Sequence, residues 1–409
     1  MIGEKKLISI PKDNFISGSH GVFQWNGGVY RGFDDKLAPD ARRLILNLDK
    51  LYDIGLVRTS IAPLHSKEFG LILQHEKIDF VTYIEEWTTK MVLDAALMVI
   101  DLQAELVKNE LCLYDGHSLN VTFDYTKPVF VDFGSIIPIQ TSIAWFDGFF
   151  PYFIRRITEH AKEDSSFWFK SLETTINLRE AQTNVSSYKV VFLKFLNDIR
   201  DWLSSMNVNI GTTPWSGYTQ PTEELTNDKQ KTVANILGKL YTDGMTLIDI
   251  GANQGWYSNF AANIGYHVVA FDLDEKCMTK LYLEAKQSRH KILPLIEDFL
   301  RPWKAQPPYI NEIDRLKCDV SLALALVHHL VFSQHTDFPT IALRLSELTK
   351  RYSIVEFPPP DDVFVKNWIT PETSWYNIDN FIAEMSGYFP KNQVFDSHPK
   401  PRKIILFEK

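Results

Sequence analysis

Apolar and polar positions along this chain follow two rhythms, and the change falls near residue 224. In GVFQWNGGVYRGF (21–33) two short β-prone runs flank Asn26-Gly27-Gly28, residues that accept positive φ, which predicts a β-hairpin. Leu44, Leu46, Leu48 and Leu51 among charged residues predict a helix between Leu37 and Tyr52, and FGLILQHEKIDFVTYIEEW (69–87) reads as two strands. A helix over about 91–109 leads into LCLYDGHSLNVTFDYTKPVFVDFGSI (111–136), whose two β-rich runs are separated by an Asp-Tyr-Thr-Lys-Pro turn. Residues 143–205 read as mainly helical and rich in aromatics, and 206–224 as a polar linker with Gly, Pro and Ser. Beyond it come a helix (about 226–240), strand TLIDIG, a helix, strand HVVAFDLD, a helix, strands KILPLIEDF and CDVSLALAL, a helix (about 337–349) and strand SIVEF. Strands alternating with helices predict an α/β domain over 225–409, a doubly wound and mostly parallel sheet, preceded by an α+β domain over 1–205.

Composition narrows the classes. The 409 residues are 45% hydrophobic, 23% charged and 13% aromatic, enough to build full cores in two or three domains. A net charge of −8 supplies no global positive field, so nucleic acid and anionic membrane are not expected partners. Cys112, Cys277 and Cys318 are far apart and form no zinc or disulfide pattern. The start, MIGEKKLISIPKDN, lacks the apolar core of a signal peptide, and runs such as VSLALALVHHLVF are too short and interrupted to span a bilayer. A cytoplasmic protein without a membrane span is expected.

In LIDIGANQGWYSNF (247–260) Asp249 ends a strand, and Gly251 and Gly255 sit in the turn that opens the next helix. Glycines there let a ligand approach the backbone, while the helix N-terminus offers amide donors. Asp272 ends the following strand, placed to accept hydrogen bonds from a ribose diol. The Asp-x-Gly-x-x-x-Gly spacing differs from dinucleotide fingerprints and suits a ligand without a pyrophosphate. Residues 225–409 resemble class I S-adenosylmethionine-dependent methyltransferases. By that resemblance the loop of Asp249, Gly251, Asn253 and Gly255 cradles the methionine part of S-adenosylmethionine, Asp272 binds the ribose, Asp298 and Phe299 flank the adenine, and ALALVHHLVF (323–332) borders the methyl group. His328 or His329 could serve as a base for an acceptor hydroxyl, and Glu356, before Pro358-Pro359-Pro360, could line the acceptor pocket. No Asn-Pro-Pro-Tyr amino clamp is present, which tilts the acceptor atom towards oxygen. VEFPPPDD and TPWSGYTQ resemble features of methyltransferases of polysaccharide or specialised-metabolite pathways. Trp215, Tyr218, Trp256, Tyr257 and Trp375 are candidates for an aromatic lid, with core packing as the alternative.

In LYDGHSLNVTF and VFVDFGS, Asp115, Asn120 and Asp132 could converge on magnesium and a triphosphate. Residues 1–205 resemble protein-kinase-like enzymes of the aminoglycoside and choline phosphotransferase type, which implies a two-lobed fold. The resemblance makes Asp115 the base, Asn120 and Asp132 the magnesium ligands, and TYIEEW (82–87) the interlobe hinge. Departures concentrate in the small lobe. Arg31 stands where the ATP-binding lysine is expected, Leu113 replaces the usual loop histidine, and no glutamate occurs between Leu37 and Tyr52, leaving Asp40 or Asp49 to pair with Arg31.

The leading expectation is a methyltransferase acting on oxygen of a sugar, glycan or specialised metabolite, its kinase-like domain assisting substrate recognition. A bifunctional enzyme that phosphorylates with ATP and magnesium and then methylates a glycan end is the alternative; a non-enzymatic binding protein is another. The acceptor and the oligomeric state stay open.

Overall fold

The computed structural model describes residues 6–7, 21–45, 48–140, 144–161, 185–206, 227–303 and 310–409. Nearly all of the linker candidate, with Trp215 and Tyr218, lies outside these residues, as does Leu46. The described residues form two compact units: one from residues up to 84 with 89–206, the other from 85–88 with 227–303 and 310–409.

The strands of the first unit are β1 (Lys6–Leu7), β2 (Val22–Trp25), β3 (Gly28–Phe33), β4 (Thr59–Ile61), β5 (Leu64–His65), β6 (Leu71–His75), β7 (Leu111–Leu113), β8 (Val121–Asp124), β9 (Lys127–Phe130) and β10 (Ile136–Pro138). Four of them make an antiparallel sheet in the order β2-β3-β6-β4. The β2–β3 hairpin turns at Asn26 and Gly27, with φ of 47° and 78°, as the residue types require. Val29 pairs with His75 and Arg31 with Leu73, so Arg31 and His75 share one face of the sheet. The helix Thr89–Lys108 is apolar nearly all round and correspondingly buried along most of its length. The β8–β9 hairpin realises the expected Asp-Tyr-Thr-Lys turn, with Tyr125 at φ 55°.

Two local expectations need correction. The single helix between Leu37 and Tyr52 is two helices, Ala38–Ile45 and Asp49–Ile54, with Leu48 and Leu51 buried. Of the two strands expected in 69–87 only β6 forms. Past it a side chain holds the backbone in place of a ladder: the Thr82 amide donates to Thr122 Oγ1 at 2.8 Å. Residues 84–86 are a 3-10 turn. The hinge candidate is also divided, since residues 85–88 belong with the second unit, where Glu86 is ion-paired with Arg315.

In the second unit β11 (Thr246–Ile250), β12 (His267–Asp272), β13 (Ile292–Ile296), β14 (Cys318–Ala323), β15 (Thr349–Phe357), β16 (Lys391–Asp396) and β17 (Lys403–Glu408) form one 7-stranded sheet, ordered β13-β12-β11-β14-β15-β17-β16. The strands β11 to β15 are parallel, and β17 runs antiparallel to both neighbours. Leu247, Ile248, Val268, Val269, Leu293, Val320 and Leu322 are fully buried, the run of apolar residues that a sheet covered on both faces demands. Val233 and Leu237 of the helix Asp228–Leu240 and Met278 and Leu281 of the helix Glu275–Ser288 pack into the same core. The C-terminal region, for which the sequence predicted no strand, supplies β16 and β17. The edge strand β16 is mostly exposed and carries Lys391, Asn392, Gln393 and Asp396, polar residues that discourage further strand pairing. Among the described residues no helix is long and apolar enough to cross a membrane. Cys112, Cys277 and Cys318 are free and buried.

Candidate functional site

Strand order in the second unit reverses at β11: β12 lies on one side and β14 on the other. The chain leaves the two neighbouring strand ends in opposite directions, which opens a crevice at their C-terminal ends. The loop from Asp249 to Gly255 sits there. Gly251, Asn253 and Gly255 have φ of 70°, 52° and 78°, a conformation that favours glycine and tolerates asparagine. The amides of Gly251 and Ala252 donate to Phe271 O at 2.9 and 3.1 Å, that of Gln254 to Asn253 Oδ1 at 2.7 Å, and that of Gly255 to Ala252 O at 2.9 Å. Asp272 Oδ2 accepts from the Asn253 amide at 2.9 Å, and its Oδ1 from the Asp274 amide at 3.0 Å. The five amides from Gly251 to Gly255 are therefore bonded within the unit and are not themselves open donors. What the loop offers instead is shape, together with the remaining lone pairs of the Asp272 carboxylate. A Cβ at Gly251 would lie 3.2 Å from Leu326 Cδ1, on the turn that follows β14.

Asp249 is buried beneath this loop and accepts from Ser258 Oγ at 2.6 Å. Burial pushes its carboxyl up to about 6 in spite of that bond, with the nearby Asp272 charge acting in the same direction. Burial raises Asp272 as well, against its backbone hydrogen bonds.

Beside the crevice, the helix Val327–Phe332 carries both histidines. His328 is 3% exposed and its Nδ1 has no hydrogen-bond partner. Burial, with His329 and Arg402 adding their charge, pushes its imidazole down to about 3. His329 is lowered by burial and by Arg402. Trp368 packs on both rings, centroids 6.1 Å away in each case.

Glu356, at the end of β15, is completely buried. Its Oε2 is 2.6 Å from Lys229 Nζ, and its Oε1 accepts from Ser397 Oγ at 2.9 Å. Arg402 lies 3.9 Å from Glu356 and forks onto Asp362 at 2.7 and 3.2 Å. Lys229 also sits 5.6 Å from the ring centre of Tyr257, whose phenol is raised by burial and by the charges of Glu356 and Asp249. Lys229 and Arg402 thus balance Glu356 and Asp362 within one buried network. Sequence reasoning missed Lys229, Asp362 and Arg402. Asp362 stands in the VEFPPPDD run quoted for its prolines, and only the fold brings Lys229 and Arg402 to it.

The other predicted residues are placed as follows. Asp298 accepts from the amides of Leu300 and Arg301 at 2.9 and 3.1 Å, which fixes it as the cap of a turn. Phe299 is buried beneath the Arg344 guanidinium, 5.7 Å from its ring centre. Trp256 stacks on Phe260, and Trp375 meets Phe338 edge-on.

In the first unit, Asp115 Oδ1 accepts from the His117 amide at 2.9 Å, and Asn120 Nδ2 donates to Asp115 O at 3.4 Å. Asp132 Oδ1 accepts from the Gly134 amide at 3.2 Å and from Arg31 Nη2 at 2.6 Å. Arg31 is therefore paired with Asp132, where the sequence reading left Asp40 or Asp49 for that role; the Asp40 side chain lies outside those described.

No family model matches the chain. Nodulation protein NoeA of Rhizobium meliloti (strain 1021) is 23% identical over an alignment of 475 positions, gaps included, which takes in 100% of this chain and 99% of that relative. The chain is also similar to the solved structure of the bifunctional kinase-methyltransferase WbdD, with 18% identity, 43% of this chain and 36% of that one covered, and a TM-score of 0.32. A TehB-like SAM-dependent methyltransferase from Corynebacterium glutamicum matches 43% of this chain and 86% of its own at 12% identity and a TM-score of 0.31. The PH0226 protein from Pyrococcus horikoshii OT3 covers 44% and 88%, at 11% identity and a TM-score of 0.34.

Proposed function

We propose that the second unit binds S-adenosylmethionine and transfers its methyl group to an oxygen of a sugar, glycan or specialised metabolite, and that the first unit is a kinase-like module assisting acceptor recognition. The observation that carries this reading is the tie between two strand ends: the Asp272 carboxylate bonds the Asn253 amide and so closes the left-handed Gly251–Gly255 loop at the point where strand order reverses.

The residues present fit such a cofactor. A side chain at Gly251 would fill the space towards Leu326, so glycine keeps the cradle open. Asp272 is held by two amides and retains acceptor capacity for a diol. Bound there, S-adenosylmethionine would supply a sulfonium-activated methyl group, whose transfer relies chiefly on holding the nucleophile in line.

The remaining chemistry belongs to the chain's own residues. Burial keeps His328 neutral at neutral pH with its lone pair free, but a pKa pushed down to about 3 makes it a weak base, so taking a hydroxyl proton would need support from neighbouring negative charge. Of the neighbouring charges Asp362 favours the imidazolium that would result, while His329, Arg402 and Lys229 oppose it. Trp368 covers the histidine rings on one side and shields them from water.

Calorimetric titration with S-adenosylhomocysteine tests the reading. Saturable binding is expected, weakened about tenfold to a hundredfold in Asp272→Ala, the range that loss of a charged hydrogen-bond acceptor gives. Absence of binding in the folded wild-type protein would refute it. Binding without methyl release to any hydroxyl acceptor would leave a binding module.

A further inference from the structure

We infer that Arg31 is a built-in counter-cation for Asp132, occupying the position a divalent ion would need, so that the first unit holds no magnesium there and carries out no phosphotransfer. The magnesium site suggested by the sequence does not fit the residues as they stand. Arg31 is 8% exposed, and its Nη2 bonds Asp132 Oδ1 at 2.6 Å. Gly134 makes room for it: a Cβ there would come within 2.1 Å of Arg31 Nη1, so the guanidinium rests directly on the loop that follows Asp132. The Gly134 amide donates to the same carboxylate oxygen. Asp115 Oδ1 is engaged by the His117 amide, and Asn120 reaches Asp115 through its main-chain oxygen.

Charge leads to the same conclusion. Magnesium binds carboxylate oxygens at about 2.0–2.1 Å, which would set two positive charges against a guanidinium already on that oxygen. Arginine cannot escape by losing its proton. The neighbouring His75 is held neutral, pushed down to about 3 by burial and by the Arg31 charge, so it brings no competing positive charge to Asp132. Asp132 is therefore the carboxylate that balances Arg31.

The test is Mn²⁺ titration of the full chain by electron paramagnetic resonance, with and without a non-hydrolysable ATP analogue. Wild type should show no saturable site that depends on Asp132. Arg31→Met, which removes the charge and keeps most of the volume, should gain a site at least tenfold tighter, and Arg31→Met with Asp132→Asn should lose it. Mn²⁺ binding by wild type that Asp132→Asn abolishes would overturn the inference, as would a folded Arg31→Met that gains nothing. If Arg31→Met does not fold, Asp132→Asn alone decides: ATP-analogue affinity that falls more than tenfold in it contradicts the inference, and unchanged affinity supports it. S-adenosylhomocysteine titration of the same samples reports on the second unit separately.

Discussion

Gly251 and Gly255 have similar backbone angles, yet the space beside them differs. At Gly255 a Cβ would lie 2.4 Å from Leu281 Cδ1, and Leu281 is fully buried in the core. At Gly251 the nearest atom is Leu326 Cδ1 at 3.2 Å, on a half-buried residue at the crevice. Gly255→Ala should therefore lower stability by about 1–3 kcal/mol through strain and overpacking, measured by urea unfolding. Gly251→Ala should cost less stability and more affinity for S-adenosylhomocysteine, because the added methyl intrudes on the cradle. Equal effects at both positions would contradict this division. The loop was legible in the sequence because its glycines and acids are local and each residue type answers a backbone demand. The Arg31–Asp132 pair was not, because it joins residues 101 positions apart and no pattern near Arg31 names its partner.

The helix Asp228–Leu240 shows how an element delivers a charge to the site. Asn227 caps it reciprocally with Gln230, its side chain accepting from the Gln230 amide at 2.9 Å while Gln230 Oε1 accepts from the Asn227 amide at 3.1 Å. That cap fixes the first turn and with it Lys229, which meets Glu356. Asn227→Ala should lower stability by about 1 kcal/mol. Lys229→Met should cost about 3 kcal/mol by leaving buried Glu356 with only Arg402, 3.9 Å away, to offset its charge, and adding Glu356→Gln should recover most of that loss. A double-mutant cycle in urea measures the coupling, and additive losses would show that the pair does not act as one. The parallel strands were legible for the reason this helix was, since their patterns repeat within a few residues. The strands β16 and β17 were not, because their pairing with β15 depends on contacts between distant segments. The second strand expected in 69–87 failed for a related reason: side-chain bonds from Thr122 took the place of a ladder.

At the scale of the molecule, buried titratable groups make stability depend on pH in two opposed ways. His75 in the first unit and His328 in the second are pushed down from 6.5 to about 3 by burial. The unfolded chain then binds more protons than the folded one between these values, so stability rises with pH from about 3 to 6.5. Asp249 moves from 3.8 to about 6, chiefly by burial, and Glu297 from 4.5 to about 8, by burial and by the charges of Glu86 and Glu312. Their contribution is fully present below the ordinary values and is lost as pH climbs through the folded ones. Above pH 6.5, of these four groups, only Glu297 still acts strongly, and it belongs to the second unit. Thermal unfolding followed between pH 6.5 and 8 should therefore show the second unit losing stability with rising pH, while the histidine of the first unit contributes no slope there. Glu297→Gln, which keeps the shape and removes the ionisation, should flatten that decline and, because Glu297 also opposes the histidines from about pH 4.5 upward, should steepen the rise below pH 6.5. A decline that persists unchanged in Glu297→Gln would assign the alkaline sensitivity to another group and remove Glu297 as its source.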